Sequence, residues 1–218
     1  MPYEIPLRGE GKRGAVMIRR KITGISTMVG TNLAVRPLCW LAISLVVGLA
    51  VTWLRFEGRR WWCRFGGLSP WSVGIRSPHT SQHLVDPYSL THVLHGLLIY
   101  AFFRLVAGRL RWDARLVVTV ALECLWEVAE NSPMVIERYR RGAVALGYEG
   151  DSILNSLGDI TSCGLGFLLA RRLPVRWSVA LFLVVEVALL ILYRDNLLLN
   201  VIMLLHPFEA IKSWQADR

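Results

Sequence analysis

Five apolar runs divide this chain, at about 38–54, 90–106, 116–128, 153–170 and 177–193. They narrow the possible folds more than any other feature. A helix rises 1.5 Å per residue, so roughly 20 residues cross a hydrocarbon core about 30 Å thick. Inside that core every backbone N–H and C=O must be bonded within the protein, and helices achieve this within one segment. The rest of the chain agrees: 54% of its 218 residues are hydrophobic and only 19% charged, and its mean hydropathy is +0.42. The expected fold is therefore all-α, a single integral membrane helical bundle over 38–218 with about five transmembrane helices. A sixth apolar piece at 197–205 precedes His206 and Pro207. It is too short to cross alone and is expected to form a short re-entrant or interfacial helix.

The net charge is +9. Its distribution speaks against nucleic acid as a partner, because the basic residues lie at the ends of apolar runs and no recognition motif accompanies them. Fourteen basic residues fall on the N-terminal side of the bundle and nine on the other, which predicts a cytoplasmic N-terminus. The basic stretch at 1–37 reads as a disordered cytoplasmic leader. The apolar run after it is too long for a signal-peptide core and ends without a small-residue cleavage site. Cys39, Cys124 and Cys163 lie in apolar runs and read as small buried hydrophobes, whereas Cys63 stands alone in a loop. No C-x-x-C spacing is present, so neither a zinc knuckle nor a redox pair is indicated.

Several boundaries are signalled. Asp86-Pro87 reads as N-cap and first helical residue of the second span. Ser132-Pro133 opens a short helix that Gly142 ends, and Gly150-Asp151 reads as the turn and cap before the fourth span. The loop at 55–88 is rich in Trp, Gly, Pro and Ser. Together with Trp53, its residues Trp61, Trp62 and Trp71 are expected to place it against lipid headgroups.

The informative residues are polar ones inside the apolar runs. The third run, "LVVTVALECLWEVAEN", holds Glu123, Glu127 and Glu130 within about 60° of one another around a helix. The fourth opens "GDSILNSLGD", with Asp151, Asn155 and Asp159 spaced i, i+4, i+8. His92 and His95 share a face of the second. Counting 1.5 Å per residue from the expected helix ends, Glu130 and Asp151 lie at the rim. Glu127 and Asn155 lie roughly 6 Å down, Glu123 and Asp159 roughly 12 Å, and the histidines roughly 4 and 9 Å. An acid near a helix centre costs about 2.5–3.5 kcal/mol to insert. The groups are therefore expected to face one another rather than lipid, in the outer half of the bundle.

Three readings of that constellation remain open. His, Glu and Asp side chains of mixed N/O type can hold zinc, manganese or iron, which would make the pocket an enzyme site. Chains of carboxylates and histidines also serve as proton or ion pathways. The plainest reading is a structural polar network that fixes helix packing. Among the remaining polar residues, Arg138 and Arg140 of "ERYRR" can hold an anionic headgroup, although a headgroup-anchored interfacial helix explains them equally. His79 and His83 read as ordinary loop histidines and Asp86 as a cap. Glu186 either joins the network or is satisfied by a neighbour. "YRDN" at 193–196 is either a pocket cover or a helix stop, and Asn200 and His206 point the C-terminal piece toward something polar.

With those residues in view, the chain resembles the bacterial multi-pass membrane proteins grouped as domain of unknown function 2585. The likeness is carried by "SQHLVDPYSLTHVLHG", "LECLWEVAENSP", "ERYR", "GYEGDSILNSLGD" and "RDNLLLNVIMLLHPFEAI", in order over about 61–214. It implies a bacterial inner (plasma) membrane protein and carries no activity with it. A fainter similarity is to the VanZ-like teicoplanin-resistance membrane proteins. Their pattern of histidine, glutamate, then aspartate and asparagine before glycine is matched by His92 or His95, Glu123 or Glu127, and Asp151, Asn155 and Gly158. Their E-x2-Q is absent. That similarity implies lipid or cell-envelope chemistry.

The leading expectation is a metal-dependent hydrolase or transferase acting on a lipid-linked or anionic envelope precursor among membrane lipids. His92, His95, Glu123 and Glu127 are its expected metal ligands. Glu130, Asp151, Asn155 and Asp159 are its expected catalytic groups, and Arg138 and Arg140 its substrate-binding residues. A proton- or ion-coupled carrier and a non-catalytic assembly subunit are the alternatives.

Overall fold

In the computed structural model, residues 34–142 and 148–217 are described. Most of the basic leader expected at 1–37 lies outside them. Eight helices follow along the described chain: α1 (Pro37–Phe56), α2 (Ser89–Val106), α3 (Trp112–Glu130), α4 (Pro133–Gly142), α5 (Ile153–Arg172), α6 (Val175–Tyr193), α7 (Leu197–Leu205) and α8 (Glu209–Ala216). No strand occurs among the described residues; an isolated bridge joins Trp71 to Val85. The all-α bundle expected from the apolar runs is what forms.

Four helices, α1, α2, α5 and α6, are long and apolar enough together to cross a membrane. The expected count was five. The difference is α3, which has 19 residues and so the length to cross, but carries Asp113, Arg115, Glu123, Glu127 and Glu130. Its acids at 123 and 127 are turned inward and are fully or nearly fully buried. At the periphery, only 17% of the apolar window of α1 and 11% of that of α6 is covered by protein, against 56% for α5. Helices that are apolar all round yet uncovered are solvated by lipid.

Helix α5 is central, packing most extensively on α2 and also on α3, while α1 packs on α3. Glycines set the closeness of the α2–α5 contact. A Cβ on Gly96 would overlap the backbone at Cys163 and Phe167, and one on Gly166 would overlap the Val93 carbonyl. Small residues let two membrane helices approach backbone to backbone. His92 is thereby held beside the turn of α5 that carries Asp159. Below this contact, Leu94, Leu97, Ala170 and Leu197 form an apolar core, with Tyr100 and Phe182 against it.

The caps refine the expected boundaries. The N-cap position of α2 is Tyr88, not Asp86 as expected. Asp86 instead organises the turn before it, its Oδ1 accepting from the N–H of Tyr88 (2.8 Å) and Ser89 (3.2 Å), and its Oδ2 from the N–H of Ser81 (2.8 Å). The helix itself begins at Ser89, two residues later than the proline suggests. Helix α5 is capped by Ser152, which accepts from the Asn155 N–H, rather than by Asp151. Gly150, at φ +92°, supplies the turn before it. The remaining N–H groups at that end reach into the 57–88 loop, Ser152 to the Ser81 carbonyl (2.9 Å) and Ile153 to the Arg60 carbonyl (2.8 Å). Helix α7 starts on Asn196, and Glu186 accepts from the N–H of Leu197 (2.9 Å) and Leu198 (3.3 Å). Glu186 is thus satisfied by a neighbour, and "YRDN" ends one helix and caps the next.

Candidate functional site

Three helices bring their ionisable side chains to one place. The Nδ1 of His92, on α2, is hydrogen-bonded to Oε1 of Glu123, on α3. The same Nδ1 lies 3.5 Å from Oε1 of Glu127. On its other side, Nε2 of His92 lies 3.8 Å from Oδ2 of Asp159, on α5. His95 Nδ1 is 3.1 and 3.3 Å from the two oxygens of Glu123. Donor atoms of His92, His95 and Glu123 fall within 4.8 Å of one another, as do those of His92, Glu127 and Glu130. His92 belongs to both sets.

Satisfaction is uneven across this cluster. Glu123 is bonded to both imidazoles, whereas neither oxygen of Glu127 has a hydrogen-bond partner, and Oδ1 of Asp159 also has none. Both carboxyls are buried, Glu127 completely. Buried polar atoms are almost always paired, because an unpaired one costs on the order of 1–3 kcal/mol. A proton on the Glu127 carboxyl, a water or a cation beside His92 would each satisfy it.

The cluster forms the floor of a cavity of about 700 Å³, which His92, His95, Glu130 and Asp159 line and which Trp126 walls on one side. Glu123 and Glu127 sit behind the histidines. Another part of the lining comes from the loop after α1 and carries Arg59, Arg60, Arg64 and Arg76. Arg64 is ion-paired with Glu149. Arg60 makes no side-chain hydrogen bond or ion pair among the described residues, and it is exposed. The cavity therefore joins an acidic, histidine-bearing floor to a cationic wall. Such a gradient suits a molecule with an anionic head.

Several expected residues are placed otherwise. Arg138 does not reach the cavity. It donates through Nε to the Leu204 carbonyl (2.7 Å) and through Nη2 to that of Leu205 (2.6 Å), holding the C-terminal end of α7. Arg140 donates to the Tyr148 carbonyl (2.6 Å) and is likewise outside it. On a short amphipathic helix the guanidiniums found orphan carbonyls nearer than the pocket. Asn155 is buried and does not line the cavity; its amide donates to the His83 carbonyl (2.9 Å) and ties α5 to the loop. Asp151 lines the cavity, yet its oxygens are taken by the Asn131 amide (3.0 Å) and the Tyr148 hydroxyl (2.8 Å). Burial pushes its carboxyl above the usual range, against the pull of those two donors. Glu123, Glu127, Glu130, Asp159 and both histidines are brought together as the helical spacing indicated.

The cationic wall escaped sequence reasoning. Arg59, Arg60, Arg64 and Arg76 looked like topology signals at the end of a span, and only the folding of the loop back over α5 turns them inward. The carbonyls of that loop that accept from the start of α5 are what fold it back. Asn200, which points into the cavity from α7, was signalled by its polarity within an apolar run.

Comparison with known proteins follows this geometry. Residues 54–217 match the family described as "Protein of unknown function (DUF2585)". The chain belongs to the DUF2585 family. The match begins at the end of α1 and covers every residue of the floor and of the arginine wall. Among DUF2585 relatives, a UPF0314 protein of Paracoccus denitrificans is 47% identical over 175 residues, covering 80% of this chain and 91% of its own. One from Brucella anthropi is 44% identical over 176 residues, covering 81% and 89%. One from Rhizobium meliloti is 44% identical over 182 residues, covering 83% and 92%. The fainter VanZ-like likeness is not shown by these matches and carries nothing further. No solved structure matches.

Proposed function

We propose that this DUF2585 protein is a metal-dependent membrane hydrolase or transferase whose substrate presents an anionic, phosphate-bearing headgroup to the cavity. The observation that carries this reading is Glu127, buried without a hydrogen bond 3.5 Å from His92, which lines the floor of an arginine-walled cavity. His92, His95 and Glu123 form one close donor set and Glu127 meets His92 in a second; together the four residues offer mixed N/O ligands suited to zinc, manganese or iron. Asp159 faces the far nitrogen of His92 and acts as a positioning residue. A carboxylate behind a ligating imidazole fixes its tautomer and raises its basicity. A metal held by these residues would supply Lewis-acid polarisation at the cavity floor. Glu130 faces the cavity, placed to take a proton from an attacking water and return it to the departing oxygen of the substrate. Arg60 holds the anionic oxygens.

The test is turnover by the full chain reconstituted in vesicles of phosphate-headgroup lipids, with zinc, manganese or iron(II) added in turn. One of these metals is expected to support headgroup release. Glu130→Gln should reduce kcat, and Arg60→Ala should raise KM with little change in kcat. Turnover that is unchanged in Glu130→Gln would remove the assigned base. A proton flux across the vesicle wall without headgroup release would replace the enzyme reading with a carrier.

A further inference from the structure

Apart from the floor of the cavity, one other cluster of ligand-type side chains stands out. Cys63, His79 and His83 lie in the loop between α1 and α2, and their Sγ, Nδ1 and Nε2 atoms fall within 4.8 Å of one another. Cys63 Sγ is 3.2 Å from His79 Nδ1, which is in turn 3.2 Å from His83 Nε2. The cysteine expected to stand alone and the two histidines expected to be ordinary loop residues are therefore neighbours, with Cys63 at 7% and His83 at 3% exposure.

The geometry assigns a tautomer. His83 Nδ1 lies 2.6 Å from the Ser69 carbonyl, which can only accept, so that nitrogen carries the proton. The Nε2 lone pair is left aimed at His79 and Cys63. An imidazole whose far nitrogen donates to a backbone carbonyl is oriented for metal binding. Two donors 2.0–2.3 Å from one tetrahedral ion stand roughly 3.3–3.6 Å apart, so the two 3.2 Å separations need widen by only a few tenths of an ångström, and Cys63 and His83, within 4.8 Å, need close by no more than about 1 Å. Trp62 packs edge-on against His83 and Phe65 against His79, giving an apolar shell.

The loop has a use for such a staple. Leu68, Trp71 and Val73 are each more than half exposed, and its backbone is held by short turns and an isolated bridge between Trp71 and Val85 rather than by helix or sheet. A segment that buries so little apolar surface gains order from a bound metal. The same segment presents Arg60, Arg64 and Arg76 to the cavity and the Arg60 and Ser81 carbonyls to α5.

We propose that Cys63, His79 and His83 bind a zinc ion that pins this loop across the cavity, at a site separate from the His92 cluster. One thiolate and two imidazoles suit zinc, with a solvent molecule in the fourth position. Binding releases the Cys63 thiol proton and leaves His79 protonated at Nε2.

The test uses cobalt(II), titrated into the chelator-treated full chain in detergent. A cobalt–thiolate charge-transfer band in the near ultraviolet is expected, saturating at about one equivalent and bleached by added zinc. Cys63→Ser should abolish it and His83→Ala should weaken it, while Glu127→Gln should leave it intact. The carboxylate-rich floor yields no such band, so this site and the proposed function stand or fall separately. Absence of the band in the unsubstituted protein, or its persistence in Cys63→Ser, would overturn the site. Should Cys63→Ser not accumulate, mapping of maleimide labelling in the unsubstituted protein decides. Zinc is expected to protect Cys63, and equal labelling with and without zinc would overturn the proposal.

Discussion

Oε1 of Glu127 lies 3.5 Å from Nδ1 of His92, and neither oxygen of that glutamate receives a hydrogen bond. Without a cation, this is a cost built into the middle of the bundle. Glu127→Gln removes the carboxyl and offers an amide donor to the acids around it. In chelator-treated protein the substitution is expected to raise stability by about 1–3 kcal/mol. In metal-supplemented protein the order should reverse, because ligand binding to the native state stabilises only a chain that can bind. Thermal melts in detergent, with and without metal, check both halves. A Glu127→Gln protein less stable than the unsubstituted chain under both conditions would mean that the carboxyl is a structural element.

The α2–α5 contact sets up the floor, so it can be attacked without touching an ionisable group. Gly96→Ala drives a methyl into the backbone at Cys163. The expected loss is about 1–3 kcal/mol or more, together with separation of His92 from Asp159. Gly164, on the same helix α5, has nothing within 4 Å of where its Cβ would be, and Gly164→Ala should be neutral or stabilising by up to about 1 kcal/mol. Equal effects of the two substitutions would show that the close approach is not what holds the helices.

Much of this site could be read from spacing. Glu123, Glu127 and Glu130 had to share a face, and burial cost made that face an inner one. His92, His95 and Asp159 followed from depth along helices that alternate in direction. The rest depended on what no periodicity records. Arg138 and Arg140 found carbonyls at the end of α7 and near Tyr148, and Asn155 found a loop carbonyl. Each is a local hydrogen bond that outcompetes a distant role. Cys63 and His83 are twenty positions apart in a loop without regular structure, so their meeting had no signal beyond the H-x3-H of His79 and His83. The fifth expected span, α3, stands apart for a related reason: it has the length to cross, but the acids that form the site keep it out of the helices apolar enough to cross by composition.

Asn155 separates a positioning contact from catalysis. Its amide supports the His83 carbonyl and so the loop, with no contact to the cavity. Asn155→Ala is expected to cost about 1–3 kcal/mol by leaving that carbonyl unpaired. Any loss of turnover should appear as a raised KM, through displaced loop arginines, and not as a lowered kcat. A kcat loss equal to that of Glu130→Gln, in a protein that still folds, would return Asn155 to the reaction.

Asp195, between α6 and α7, should give stability a pH dependence. Burial raises its carboxyl to about 6, against the pull of the Tyr88 hydroxyl, the Asn196 N–H and the Gln215 amide. The unfolded value is about 3.9. The folded chain therefore holds this proton more tightly. The stabilisation is fully present below about pH 4 and is lost as pH rises through about 6, amounting to on the order of 2–3 kcal/mol. Asp195→Asn keeps an acceptor for Tyr88 and should flatten that part of the profile, melting higher than the unsubstituted chain at pH 8 and similarly at pH 4. Parallel profiles for the two proteins between pH 4 and 8 would remove Asp195 as the source.

The bound metal is best counted directly, by elemental analysis of the full chain purified without chelator in a Cys63→Ser background, so that the loop cluster does not contribute. About one zinc, manganese or iron per chain is expected, falling to background when His92→Ala or Glu127→Gln is added, with both variants still eluting as folded protein. Metal at background level in the Cys63→Ser protein, even after incubation with each of the three ions, or metal that survives the loss of His92 and Glu127, would contradict the site at the floor of the cavity.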